Sequence, residues 1–503
     1  MLVIQQFEDN AKKSFSKISM RVTITPLMKR FYTIFLFISF LFVGHFGFAQ
    51  DFDELIPKEA KSNGKLGVLV KSLSTDKKIL EHNSNKLFTP ASNQKIITSA
   101  TALSLLGSDY RFKTEFYSGG GIIDGVLYGG LYVKGYGDPT TTTQHLNSIV
   151  YELKKLGVKE IRGGITVDDS YFDDVRYGKG WKAEWKGDFY SPPISALTLN
   201  HNTFEIKVYP TKSGRVPAVE LDPKGTNINI INKAITNSKK GGLTAKWLEE
   251  GKTIMLQGRI SPRSSFYSLK IPISSPDIYT GSALRRILVD AGIRVNGFVG
   301  RGKVPKWAKL FYTHLSDPLN SIITEYNKNS VNIIGENIIK TLGAEFISAA
   351  GSWEKGAQVI SAFLNRLGIK DEFEIVDGSG LSPLNRVTPH AITEVLRYAY
   401  KNKLIGFQFL SSLPIAGVDG TLKERFKSSE VEGRVLAKTG YLNNVRALSG
   451  YVFTKSGDVL VFSILANGLG WKAKEFQNDL LSNLVECCQS NGSMTNGVPQ
   501  TKQ

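Results

Sequence analysis

The sequence predicts an α+β fold in which one domain is split by a large β-rich insertion. Three patterns lead there: a strand hairpin near the start, an antiparallel meander followed by a helix near the end, and a long stretch of short strands between two helical regions. Residues 66–70 are a continuous apolar run and read as a buried strand, with a turn at 74–78 and a hairpin partner at 79–81. Thr89-Pro90-Ala91-Ser92-Asn93-Gln94-Lys95 then runs into an apolar helical pattern over 96–103. Pro90 and Ser92 stand where a helix start wants a rigid turn and a capping hydroxyl. From 112 to 272 the character changes to short strands and glycine-rich turns, as in 129–135 and 204–208. Helical periodicity resumes at 282–291, where Leu284, Ile287 and Leu288 share one face, and helices dominate to 367. A loop at 377–382 precedes a helix over 390–400. Three strands follow at 433–437, 447–454 and 459–465, the last two joined by a turn at 455–458, and an amphipathic helix over 474–487 ends the pattern.

Residues 31–48 form an aromatic-rich apolar run, preceded by Lys29-Arg30 and ending in Gly47-Phe48-Ala49. This reads as an export signal, with Met28 an alternative start, and places the mature protein in a periplasmic or other extracytoplasmic compartment. An uncleaved anchor is the other reading, since ~18 apolar residues suffice to span a bilayer, and peripheral membrane association stays open with it. No cysteine follows the run, which argues against a lipid-anchored N-terminus. The 503 residues, 41% of them hydrophobic, suffice for two or three domains at ~150 residues each. The two cysteines, Cys487 and Cys488, are adjacent; neighbours rarely bridge, so the fold is not expected to depend on disulfides. Six histidines without ligand spacing give no reason to expect a metal. The formal net charge of +18 is carried by scattered lysines without a nucleic-acid-reading motif, and export argues against a nucleic-acid partner. An anionic cell wall suits the charge, and so does plain solubility.

The chemistry is concentrated at Ser92 and Lys95. A serine hydroxyl is a poor nucleophile alone, and a lysine one helical turn away, its pKa lowered by desolvation or by another cation, can take its proton. The spacing alone discriminates poorly, because Ser-x-x-Lys also occurs at Ser14/Lys17, Ser62/Lys65, Ser74/Lys77 and Ser352/Lys355, where a helix cap and a solvated lysine explain it. Only Ser92 and Ser352 open a long apolar helix. Only Ser92 is followed, in order, by Ser330-Val331-Asn332 between two helical patterns and by Lys438-Thr439-Gly440 at a strand end. Taken singly, Ser330 and Asn332 could cap the helix that follows them, and Lys438 could be a solvated strand end.

In this order the three motifs resemble those of penicillin-binding proteins and class A β-lactamases. Further segments follow in register: Val133-Lys134-Gly135-Tyr136-Gly137-Asp138-Pro139-Thr140, Ser195-Ala196 through Asn200, Asn327-Lys328-Asn329-Ser330, Asp377-Gly378-Ser379-Gly380-Leu381-Ser382, and Leu413-Pro414-Ile415-Ala416-Gly417-Val418-Asp419-Gly420-Thr421-Leu422. On these the chain, from about residue 66 to the closing helix, resembles the D-alanyl-D-alanine carboxypeptidase/endopeptidase type of class C penicillin-binding proteins, the penicillin-interacting serine peptidases. The resemblance implies a β-lactamase/transpeptidase-like domain, an antiparallel sheet with helices on both faces. The division expected is a signal peptide at 1–49, the two parts of the catalytic domain at 50–111 and 273–488, the inserted β-rich domain or domains at 112–272, and a disordered tail at 489–503.

The reaction this implies is acyl transfer at a D-alanyl-D-alanine bond of peptidoglycan stem peptides, with β-lactams as acylating inhibitors and no cofactor. Ser92 would attack, Lys95 would act as general base, Ser330 would pass the proton to the leaving amine, and Asn332 would hold the substrate amide. Lys438 and Thr439 would face the substrate carboxylate, and the backbone N–H groups of Ser92 and Tyr441, next to Gly440, would form the oxyanion hole. Asp168 and Phe172 lie where the family places residues that contact the stem peptide, although Asp168 could equally be turn chemistry. Two positions depart from the family pattern: Tyr441 replaces a small hydroxyl residue, and Val331 replaces an aspartate. A β-lactamase and a catalytically silent wall-binding protein are the alternatives; the insertion disfavours the first and the intact motifs the second.

Overall fold

Apolar runs from the two ends of the folded chain meet in one antiparallel sheet of five strands, in the order Val435–Leu442, Val445–Phe453, Val459–Asn467, Leu66–Ser72, Lys78–His82. This computed structural model describes residues 52–223, 228–238, 241–249, 251–347 and 350–487; the expected export signal and tail lie outside them. All seven residues of Leu66–Ser72 are buried, because the strand is central and covered on both faces. On one face Val461, Leu465, Ala447 and Tyr451 pack with Ile97, Ile392 and Leu396 of the helices Gln94–Leu105 and Pro389–Lys401. On the other, Val68, Val70, Leu448 and Ile464 pack with Leu480, Leu481 and Leu484 of the closing helix Lys472–Glu486. The α+β reading with helices on both faces of an antiparallel sheet therefore holds. Among the described residues no helix is long and apolar enough to cross a membrane.

Two local expectations near the motifs change. The strand expected to stop at Ala437 continues to Leu442, because its neighbour pairs with it as far as Val445. Lys438 thus sits inside the strand opposite Ser449, fully buried, and is not a solvated end. Ser92 is not a cap either: it lies in a 3-10 turn, Ala91–Asn93, and the helix Gln94–Leu105 begins without a side-chain cap. The expectation for the adjacent cysteines falls on a pair of which Cys488 lies outside the described residues.

The inserted segment is built on two cores. In the first, the strands Val299–Arg301, Ile165–Asp168, Leu131–Gly135, Lys113–Ser118 and Lys309–Leu315 form a mixed sheet in that order. The helices Thr143–Lys155 and Pro276–Asp290 bring Leu146, Ile149, Leu284 and Leu288 into one core with its Phe116, Val133 and Ile165. In the second, strands between residues 203 and 272 enclose Phe204, Ile206, Ile254 and Leu256. The boundary expected at 272/273 does not fit this pairing. Amphipathic periodicity marks the helix containing Leu284 and Leu288 correctly but says nothing about which sheet covers it, and that sheet is completed only by Lys309–Leu315. We therefore propose that the insertion ends near Leu315, just before the helix Leu319–Lys328 rejoins the core around Ile97.

Ten of the twelve residues of Gln94–Leu105 are buried, so the helix carrying the Ser92–Lys95 turn is held by packing on all sides. Ile97→Ala is expected to lower the unfolding free energy by about 2–5 kcal/mol, measured by denaturant titration, because the enclosed site has little room to collapse.

Candidate active site

The Ser92 turn is fixed from three directions. Asn93 Nδ2 donates to the Lys438 carbonyl at 2.7 Å, and Ser449 Oγ donates to Asn93 Oδ1 at 2.6 Å, which ties the turn to two adjacent strands of the sheet. Gly440 lets the strand come close: a Cβ there would stand 2.8 Å from the Pro90 carbonyl. Gly380, at φ +80°, faces the carbonyl of Ala91, and a side chain at 380 would overlap it. The glycines of two separate sequence segments thus make room for the Ser92 turn.

Lys95 is fully buried, and its Nζ has three neighbours: Ser92 Oγ at 3.0 Å, Asn332 Oδ1 at 2.7 Å and the Ser379 carbonyl at 2.7 Å. The last two can only accept hydrogen bonds. A neutral amine has two protons and one lone pair, so donating to those two acceptors leaves the lone pair for the hydroxyl proton of Ser92. Burial pulls Lys95 down to about 7, while the nearby Glu336 and Asp377 act in the opposite direction. The neutral form that a base requires is therefore populated near neutrality.

Ser330 and Asn332 come from the turn between the helices Leu319–Lys328 and Asn332–Ile347. Ser330 adopts φ +57°, which turns the chain sharply before the second helix. Asn332 bridges two segments: its Oδ1 accepts from Lys95 and its Nδ2 donates to the Tyr190 carbonyl at 2.8 Å. A cavity of about 560 Å³ opens here, walled by Ser92, Ser330, Asn332, Thr439 and Tyr441 together with Lys182, Glu184, Trp185 and Tyr190 of the inserted segment. The Thr439 hydroxyl donates to Thr421 Oγ1 at 2.8 Å. The Tyr441 ring is largely exposed, 4.0 Å from the Arg446 guanidinium.

Three expected site residues are placed differently. Lys438 does not reach the cavity wall: it is buried behind Thr439, its Nζ donating to the Thr439 carbonyl at 3.0 Å. Burial and the neighbouring Lys95 push its amine well below the ordinary lysine range. Asp168 is away from this cavity and saturated. Its Oδ1 accepts from the amide and hydroxyl of Ser170, and its Oδ2 accepts from the Val304 amide at 2.8 Å and from Lys134 Nζ at 3.2 Å. Its side chain is wholly buried, so turn chemistry, the alternative left open by the sequence, describes it. Phe172 is buried too, near Lys340 Nζ, where it packs instead of lining the cavity.

The sequence reading missed the supports. The Gly378 and Ser379 amides donate to Glu336, the Tyr326 hydroxyl donates to the Gly378 carbonyl, and Trp181 Nε1 donates to Asp377 Oδ2 at 3.0 Å. One signal was available: Glu336 is an acid in the apolar run Ile333, Ile334, Ile338, Ile339, four residues after Asn332, and a charge on a buried helix face has a partner to meet.

The profile of the D-Ala-D-Ala carboxypeptidase 3 (S13) family matches residues 48–486. The chain is 31% identical over 437 residues to the D-alanyl-D-alanine carboxypeptidase of Actinomadura sp. (strain R39), covering 83% of this chain and 80% of that protein. It is 28% identical over 420 residues to the D-alanyl-D-alanine carboxypeptidase DacB of Haemophilus influenzae, covering 82% and 87%. The crystal structure of penicillin binding protein 4 from Haemophilus influenzae superposes with a TM-score of 0.75 at 27% identity, over 87% of this chain and 99% of that one; the same protein complexed with a β-lactam gives 0.71. With the profile spanning nearly all of the described residues, the chain belongs to the D-Ala-D-Ala carboxypeptidase 3 (S13) family and is a serine-type D-Ala-D-Ala carboxypeptidase.

Proposed function

We propose that the protein hydrolyses the D-Ala-D-Ala bond of peptidoglycan stem peptides through an acyl intermediate on Ser92, with Lys95 as the general base. The observation that carries this is the placement of Lys95 Nζ 3.0 Å from Ser92 Oγ, with acceptors for two amine protons in Asn332 and Ser379, so that a neutral amine keeps its lone pair for the Ser92 proton. Ser92 Oγ attacks the carbonyl of the penultimate D-Ala and its proton passes to Lys95. The backbone N–H groups of Ser92 and Tyr441 stabilise the oxyanion. As the C–N bond breaks, Ser330 relays a proton from Lys95 to the departing amine of the terminal D-Ala. Water then adds to the ester, gives its proton to the same base, and releases the shortened peptide.

Two roles shift from the sequence expectation. Thr439, on the cavity wall, meets the terminal carboxylate in this reading, and the negative charge that arrives favours protonation of Lys438 buried beside it. Asn332 holds Lys95 and the Tyr190 carbonyl before any substrate arrives, so binding the substrate amide requires giving up the Tyr190 bond. The same acylation chemistry applies to the peptide bond of a DD cross-link, which makes endopeptidase action part of the proposal, and to a β-lactam, whose opened ring stays on Ser92. The wall formed by Lys182, Glu184, Trp185 and Tyr190 suits a peptide longer than a dipeptide. An extracytoplasmic location is the one this substrate requires.

Ser92→Ala is expected to abolish covalent labelling by a fluorescent penicillin while leaving the melting temperature within a degree or two of wild type, and Lys95→Ala to lower acylation by on the order of a thousandfold or more. Persistent labelling of the Ser92→Ala protein would refute the nucleophile. Because Lys95 must be neutral to accept the proton, the second-order acylation rate should rise with pH through about 7 and fall away below it, in stopped-flow measurements between pH 5 and 9. Thr439→Val should slow turnover of an N-acyl-D-Ala-D-Ala acid by roughly 10- to 100-fold and that of its C-terminal amide far less. Equal losses on both would remove the carboxylate role.

A further inference from the structure

Glu336 is a fully buried acid for which the acyl-transfer scheme has no use. It lies one helical turn after Asn332 on the helix Asn332–Ile347 and points beneath the glycine-rich loop at 377–382. Its Oε1 accepts from the Ser379 amide at 2.9 Å, and its Oε2 accepts from the Gly378 amide at 3.2 Å and from Trp353 Nε1 at 2.6 Å. The Ser379 carbonyl, on the other side of the same residue, is the acceptor 2.7 Å from Lys95 Nζ. We infer that Glu336 is a positioning residue for the general base: by holding the amides of Gly378 and Ser379 it fixes the Ser379 carbonyl that orients the Lys95 amine.

The geometry favours the ionised form of Glu336. Its hydrogen-bond partners are three N–H donors, which a carboxylate satisfies and a carboxylic acid, needing an acceptor for its own proton, does not. Burial and the charge of Asp377 push the carboxyl up to about 8 although the three donors oppose that, so the ionised form grows in across the same pH range in which Lys95 titrates. The charged or titratable groups facing Glu336 are Lys95 from the helix Gln94–Leu105, Tyr326 from Leu319–Lys328, Asp377 from the loop, and Lys340 one turn further along its own helix. The negative charge favours the ammonium form of Lys95 and offsets part of the effect of burial, so Lys95 titrates near neutrality and not far below it. Glutamine in its place would keep the shape but aim an amide N–H₂ at N–H donors, displacing the loop and removing the charge together.

This inference rests on Lys95 being the base, and the experiment separates the two. The pH profile of penicillin acylation is measured by stopped flow for the wild type, Glu336→Gln and Glu336→Asp, with melting temperatures recorded alongside. A wild-type profile without a limb near pH 7 overturns the reading of Lys95 itself. With that limb present, Glu336→Gln should lower the plateau rate by roughly tenfold to a hundredfold and move the limb to lower pH by about one unit, because both losses destabilise the ammonium. The penicillin concentration for half-maximal acylation should change little, since the residue does not touch the ligand. Glu336→Asp, which retains the charge with a shorter reach, should lower the plateau but keep the limb within a few tenths of a unit, and it carries the test should the glutamine variant not fold. An unmoved limb in Glu336→Gln, or a limb in Glu336→Asp displaced by about a full unit, would assign Glu336 to structural support alone.

Discussion

The structure depends on the desolvation of one lysine. An amine near pKa 10 in water is useless as a base at neutral pH, and burial is the means by which Lys95 is brought to about 7. Desolvation alone would leave a neutral amine of arbitrary orientation. The acceptors from Asn332 and Ser379 turn it into a directed one, because each takes one proton and the remaining lone pair has a single hydroxyl to face. Those acceptors come from separate segments, 237 and 284 residues away along the chain, so the proposed base exists only when the fold has closed around it.

That requirement explains the density of packing around the motif. The nucleophile helix is buried against helices and sheet alike, and the turn before it is pinned through Asn93 to the strand carrying Lys438. Gly440 and Gly380 are needed because two backbones approach that turn closely. Two lysines, Lys95 and Lys438, are buried in mutual influence, each harder to charge while the other is charged. In the proposed mechanism an arriving carboxylate adds negative charge near Lys438, which couples substrate binding to the electrostatics of the base.

The inserted segment contributes more than bulk. The chain between the strand Ile165–Asp168 and residue 194 leaves the insert's sheet and returns to the cavity. There the Tyr190 carbonyl holds Asn332, Ser382 Oγ donates to the Lys179 carbonyl at 2.7 Å, and Trp181 contacts Asp377. Lys340, buried in the helix Asn332–Ile347, anchors the same segment through Asp173 at 2.6 Å and the Val175 carbonyl at 2.7 Å. The part of the cavity wall that the inserted segment supplies is thereby fixed to the helix that carries Asn332, and cavity shape and the orientation of the Lys95 amine share their supports.

The sequence by itself determined the local patterns and the chemistry that follows from residue type. Ser92 and Lys95 one turn apart, the ordered motifs at 330–332 and 438–440, the hairpin at the start and the meander at the end were legible, because each depends on neighbours within a few positions. The tertiary structure decided everything that depends on which surfaces meet. Periodicity placed Leu284 and Leu288 on one helix face but could not say which sheet covers it, and the strand pairing that covers it is what supports the later boundary proposed near Leu315. Lys438 read as a strand end because apolar alternation stops there, whereas the ladder continues through it. Asp168 in an Asp-Asp-Ser sequence had two readings, and only its four contacts, one of them to Val304, chose between them. Glu336 stood in plain view as a lone acid among isoleucines, yet its meaning lay in the loop more than 40 residues downstream that folds back over it.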